Sequence, residues 1–180
     1  ACGAITMPAA QRIRQGVRAL LAFSQAVDLD MAAEHLNPAQ LALFRQLQHN
    51  EQLHSLNVLR DVLAQSDSTP NDLAVAALLH DCGKSRYPLA VWQKTLTVLI
   101  RAFAPTLYTR WQNGDPSSPF ARPVIVSEQH PAWSAAMAAE TDTTERALWL
   151  IAHHADDPVH WQDHPHFNLL KRLKTADDAN

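Results

Sequence analysis

The stretch Leu73-Ala74-Val75-Ala76-Ala77-Leu78-Leu79-His80-Asp81-Cys82-Gly83-Lys84 decides the fold of this chain. From Leu73 to Leu79 it is apolar on every side, the pattern of a helix buried all round rather than one with a wet face. His80 and Asp81 are therefore carried inside at its C-terminal end. A carboxylate there is doubly disfavoured, because it loses hydration and sits at the negative end of the helix dipole. Asp81 needs a cation nearby. Pro70-Asn71 opens this helix, and Gly83 is expected to end it by accepting a left-handed conformation.

The rest of the sequence agrees with a helical environment. Glycine is scarce, four in 180 residues, and Ala, Leu, Gln and Arg recur at helical spacing with no convincing strand pair. The expected fold class is all-α, a single-domain helical bundle. Helices are expected over Ala9 to Val27, from Asn37-Pro38 onward, and over Asn50 to Gln65, Leu89 to Phe103, and Pro131 to Ala139. Two more follow, from Asp142 (a capping box with Glu145) to about Asp157, and over Asn168 to Ala179. The stretch from Pro105 to Pro123, with Pro116, Pro119 and Gly114, reads as a long loop or lid. Residues 1–47 are expected to pack as N-terminal helices on a core formed by residues 48–180. The residues before Met7 are expected to be an added or trimmed start and receive no role.

Composition excludes several function classes. The formal net charge is -3 and the cations are scattered, so there is no nucleic-acid footprint. No apolar run approaches the roughly 20 residues a membrane span needs. Cys2 and Cys82 do not resemble a secreted disulfide framework, and the expected location is cytoplasmic. Ten histidines stand out, since histidine is the commonest metal ligand and titrates near neutrality.

His54 lies at the edge of the apolar stripe Leu56, Leu59, Val62 and Leu63, a border position that suits a neutral imidazole. On the last helix Leu170, Leu173 and Asp177 follow the i, i+3, i+7 pattern, so Asp177 points where a leucine would be expected. Asp178 shares the face of Lys171 and Lys174 and reads as solvated.

The order His54, then His80-Asp81 with Cys-Gly-Lys84, then Ala176-Asp177 resembles the HD-domain superfamily of metal-dependent phosphohydrolases. The resemblance runs from about Gln48 to Asn180. It implies that His54, His80, Asp81 and Asp177 hold a divalent metal, with Asp81 able to bridge to a second ion. The two-metal branch of that family resembles this chain further at Glu-Gln-His130-Pro and at Trp-Leu-Ile-Ala-His153-His154. On a helix His153 and His154 point about 100° apart. His154 is the favoured ligand, with His153 a ligand or a phosphate contact. The branch that cleaves cyclic di-GMP carries Gly-Tyr-Pro after its paired histidines, and here the sequence reads Ala155-Asp-Asp-Pro-Val-His160, so that assignment is unsupported. Asp156, Asp157 and His160 have a spacing that can bind metal but is common by chance. His35, His49, His160, His164 and His166 match no family position.

What the resemblance implies is hydrolysis of a phosphomonoester or phosphodiester, of a small, nucleotide-type phosphorylated substrate, by water activated on one or two ions of Mn, Fe, Co, Ni, Zn or Mg. Asp81 belongs to the catalytic centre. Lys84 and Arg86 follow it directly and are expected to neutralise phosphate oxygens. His130 or one of the His153-His154 pair, where it is not a ligand, is the expected general acid. The alternative is a non-catalytic HD-type module that binds nucleotide or metal.

Overall fold

The computed structural model describes residues 25–180, the side chain of Val91 excepted. The helix expected over Ala9 to Val27 lies mostly outside them, and residues 25–28 are not helical. Among the described residues the protein is all-helical. No helix among them is long and apolar enough to cross a membrane.

Short helix α1 (Leu29–Ala33) leads into α2 (Pro38–Phe44), which starts at the expected Asn37-Pro38. Its capping box is reciprocal: Asn37 Oδ1 accepts from Gln40 N, and Gln40 Oε1 accepts from Asn37 N. Helix α3 (His49–Ala64) follows, then α4 (Asn71–Leu79), whose residues from Leu73 to Leu79 are all buried. Helix α4 packs against α3, against α8 (Glu145–His153) and against α9 (Phe167–Ala179). One core joins Leu56, Leu59, Leu73, Leu78, Leu150 and Leu173 and extends to Leu43 and Phe44 of α2. Each leucine buried this way contributes about 1.5–3 kcal/mol. The helix that carries His80-Asp81 is thus held from several sides.

Gly83 does not end α4 in a left-handed conformation, since no described glycine has positive φ. It lies in a short 3-10 turn, η1 (Cys82–Arg86), pressed against α7 (Arg122–Ala139). A Cβ there would stand 2.5 Å from the His130 carbonyl oxygen and 2.7 Å from Ser134 N. The glycine is needed for close backbone approach, and its N–H donates to Ser134 Oγ at 2.8 Å.

The proline-rich stretch is not one long loop. Between α5 (Val91–Phe103) and α7, Pro105 starts α6 (Pro105–Trp111), and Pro123 stands in the first turn of α7. Both occupy positions where a missing N–H costs nothing. Only residues 112–121 turn without helix. Helix α7 begins at Arg122 rather than Pro131 and runs straight through that proline.

The cap of α8 also differs. Thr144, not Asp142, holds its N-terminus, with Oγ1 accepting from Ala147 N, and Asp142 takes φ 51° in the preceding turn. The helix ends at His153, short of Asp157, and a second 3-10 turn, η2 (Pro158–Trp161), leads to α9.

Candidate metal centre

Two helices end at the centre, and each ends on a histidine. His80 is the C-cap of α4 and His154 the C-cap of α8. Each turns its ring back on its own helix: His80 Nδ1 lies 3.0 Å from Ala77 O, and His154 Nδ1 lies 2.8 Å from Ile151 O. A carbonyl only accepts, so Nδ1 carries the proton, satisfies one of the orphan carbonyls of the helix end, and leaves Nε2 as a lone pair.

His130 reaches the same state by another route. Pro131 has no N–H to give to Ser127 O, four residues back in α7. His130 Nδ1 takes that position, 3.0 Å from Ser127 O and 2.9 Å from Val126 O. The proline that would weaken the helix therefore helps fix the imidazole beside it. His130 lies inside the helix and is buried.

The carboxylates stand opposite these lone pairs. Asp81 Oδ2 is 3.5 Å from His80 Nε2 and 3.8 Å from His54 Nε2, whereas Oδ1 is 3.3 Å from His130 Nε2 and 3.7 Å from His154 Nε2. Its two oxygens thus face two different pairs of imidazoles. From α9, Asp177 Oδ1 comes within 3.0 Å of His54 Nε2 and 3.6 Å of His80 Nε2, as its place on the Leu170–Leu173 face implied.

This arrangement fits a cation. His80 Nε2 is wholly buried and has no hydrogen-bond partner. His130 Nε2 and His154 Nε2 lie 3.2 Å apart, two lone pairs facing each other and a carboxylate. Acceptors aimed at acceptors in a buried site repel unless positive charge lies among them, and the C-terminal dipoles of α4 and α8 add to the demand. His54, His80 and Asp177 bring their donor atoms within 4.8 Å of one another, as do His80, Asp81 and His154, so this buried His/Asp group can hold a metal ion. Imidazoles oriented through Nδ1 by a carbonyl are the usual outer support of such sites.

Without a metal ion, protons take that role. Burial pushes His80 down, but Asp81 and Asp177 outweigh it and raise its pKa to about 9. Burial and then the charge on His80 push His154 down to about 3. Burial works to raise Asp81, yet Lys84 and His80 hold it well below the usual carboxylate range. Asp177 is held low in the same way, with His54 and His80 overcoming burial.

The centre opens into a cleft of about 440 Å³, with His54 and His130 in its wall. Lys84 lines it, with Nζ 2.5 Å from Asp81 Oδ2 and 3.9 Å from Glu51 Oε2. Burial opposes its charge, but Asp81 and Glu51 raise its pKa to about 12. Arg86 is not brought to the cleft; it is exposed, its guanidinium over the Trp133 ring. His153 also turns away, its Nδ1 2.8 Å from Asp156 Oδ2 and its ring against Trp149 and Trp161. The latter rings also gather His164 and His166. His35 and His49 pair elsewhere, with Asn71 and with Gln25 O.

Two cleft residues carried no weight in the sequence. Glu51 is buried and pairs with Lys94 of α5. Glu51 precedes His54 by three residues and so shares its helix face, a usable signal. Lys94 had none, because only the packing of α5 brings it across.

No protein-family model, curated protein or solved structure matches this chain.

Proposed function

We propose that the protein is a metal-dependent phosphohydrolase of the HD-domain type, cleaving a phosphomonoester or phosphodiester of a nucleotide-type compound. The observation that carries this reading is the set of buried Nε2 lone pairs aimed at Asp81 and Asp177, beside a cleft lined by Lys84. His54, His80 and Asp177 would hold one divalent ion, and His130 and His154 a second, with Asp81 shared because its oxygens face both groups. Mixed imidazole and carboxylate donors suit Mn, Fe, Co, Ni or Zn, with Mg also admissible. Such an ion lowers the pKa of water towards neutrality and polarises a phosphoryl oxygen.

The chain's own groups supply the rest. Lys84 is placed to neutralise a phosphoryl oxygen at the cleft side of Asp81. Where only the first ion is bound, His130, in the cleft wall, would serve as the proton donor for the leaving oxygen once its Nε2 beside Asp81 has taken up a proton. Arg86 and His153 take no part in this reading.

The test is metal analysis together with hydrolysis of p-nitrophenyl phosphate and bis-p-nitrophenyl phosphate, with Mn²⁺ supplied. Wild-type protein should carry metal and release p-nitrophenol from at least one of them. Asp81→Ala should lose both properties, with activity down by about 10³-fold or more. Full metal content and full activity in the variant would overturn the proposal, and binding without turnover by wild type would point to a regulatory module.

A further inference from the structure

The cationic side chains that line the cleft are Lys84 and Lys94. Neither is uncommitted. Lys94 is paired with Glu51 in a short contact, and Lys84 lies between Asp81 and Glu51. Glu51 is only 7 % exposed, so its carboxylate is shielded from water and depends on these partners for its charge. Asn50 Nδ2 also donates to its Oε1 at 3.2 Å. Burial pushes Glu51 towards the neutral acid, but Lys84 and Lys94 hold it low and charged.

A second or third phosphate of a bound molecule therefore meets no spare cation among the described lining residues. It meets a fixed carboxylate instead. The lining also includes the apolar Leu89, Val98, Pro123 and Val126, and the volume is towards the small end for ligand pockets. These features suit a compact, uncharged organic group.

We propose that Glu51 sets the charge of the substrate: the cleft takes a compound with one phosphoryl group and a neutral organic remainder, and turns away di- and triphosphates. This rests on the phosphohydrolase reading for its biological sense, but the charge selection itself is a matter of binding. Glu51 is a specificity-determining residue here, acting on the anion through Lys94 and Lys84 and by direct repulsion.

The experiment measures binding of AMP, ADP and ATP by calorimetry at a fixed free Mn²⁺ concentration, alongside phosphate release from AMP. Wild type should bind AMP at least tenfold more tightly than ATP. Glu51→Gln frees Lys94 and should tighten ATP about tenfold while moving AMP by less than about threefold. Lys94→Met leaves Glu51 opposed by Lys84 alone and should widen the preference for AMP, which keeps the idea exposed if Glu51→Gln does not fold. The double variant Glu51→Gln/Lys94→Met should return close to the wild-type ratio. Equal binding of AMP and ATP by wild type overturns the inference, as does a ratio unmoved by both single variants. If the ratios move as expected but no phosphate is released, the hydrolase reading fails and the charge selection stands.

Discussion

The two consecutive histidines at the end of α8 belong to different worlds. His154 joins His80 and His130 in a buried group in which backbone carbonyls hold every Nδ1 and every Nε2 aims at a carboxylate or another lone pair. His153 joins Trp149, Trp161, His164 and His166 on the other side, where rings pack against one another, stacked, tilted or edge to face. There Trp149 stacks on His164 at 3.9 Å and 4°, and the nitrogens are diverted: His164 Nδ1 accepts from His166 N, and Asp156 Oδ2 takes both His153 and the Trp161 N–H. The difference teaches that histidine content says little about metal binding. What matters is whether one ring nitrogen is tied down so that the other is left as a directed lone pair facing negative charge.

The comparison breaks most severely if adjacent substitutions behave alike. His154→Ala should weaken Mn²⁺ or Zn²⁺ binding by about 10³-fold, beyond the 10–100-fold typical of losing an outer partner. His153→Ala should change it by less than about twofold. Calorimetric titration of both variants reads the difference, and equal losses would erase the distinction drawn between the two groups.

A second effect sharpens the contrast through pH. In metal-free protein the pKa of His80 is raised from 6.5 to about 9, so its contribution, on the order of 3 kcal/mol, is fully present below about pH 6.5 and is lost as pH rises through about 9. The carboxylates work in the opposite direction: Asp81 and Asp177 are held low, and their contribution is present above their ordinary range and lost as pH falls below it. Urea denaturation of metal-free protein should show stability declining between about pH 6.5 and 9. His164→Ala should leave that slope unchanged, whereas His80→Gln should remove it.

The smallest expected effect tests how the buried group is positioned. Gly83→Ala drives a methyl group against the His130 and Ser134 backbone and should cost about 1–3 kcal/mol of stability. It should also disturb His130 more than His54, seen as a larger shift of the His130 ring signals by NMR. Wild-type stability in this variant would mean that η1 does not press on α7 as described.

Much of this was legible in the residues themselves. The apolar run from Leu73 to Leu79 announced a buried helix and so the demand of Asp81 for positive charge, and the i, i+3, i+7 spacing set Asp177 on the inward face of α9. Asn37-Pro38 marked a helix start because capping chemistry is local. Proline was the weak point. Pro105 and Pro123 start helices and Pro131 sits inside one, yet in sequence the first two read as the ends of a loop and the third as a helix start. Gly83 was ambiguous for a related reason: a left-handed turn and a close approach both demand the absence of Cβ, and only tertiary packing tells which applies. The choice between His153 and His154 depends on where α8 ends, since the residue at the C-cap is the one whose ring folds back on the helix. Lys94 entered through helix packing alone, which no local pattern encodes.

The central claim is that the buried histidines and carboxylates, and not the tryptophan-covered ones, hold divalent metal. Anomalous diffraction from crystals grown with Mn²⁺ addresses it directly. The expected result is density between Asp81 and the His54, His80 and Asp177 side chains, with any second peak towards His130 and His154. Density beside His153 and His164 instead, or an ordered centre that stays free of metal at saturating Mn²⁺, would contradict it.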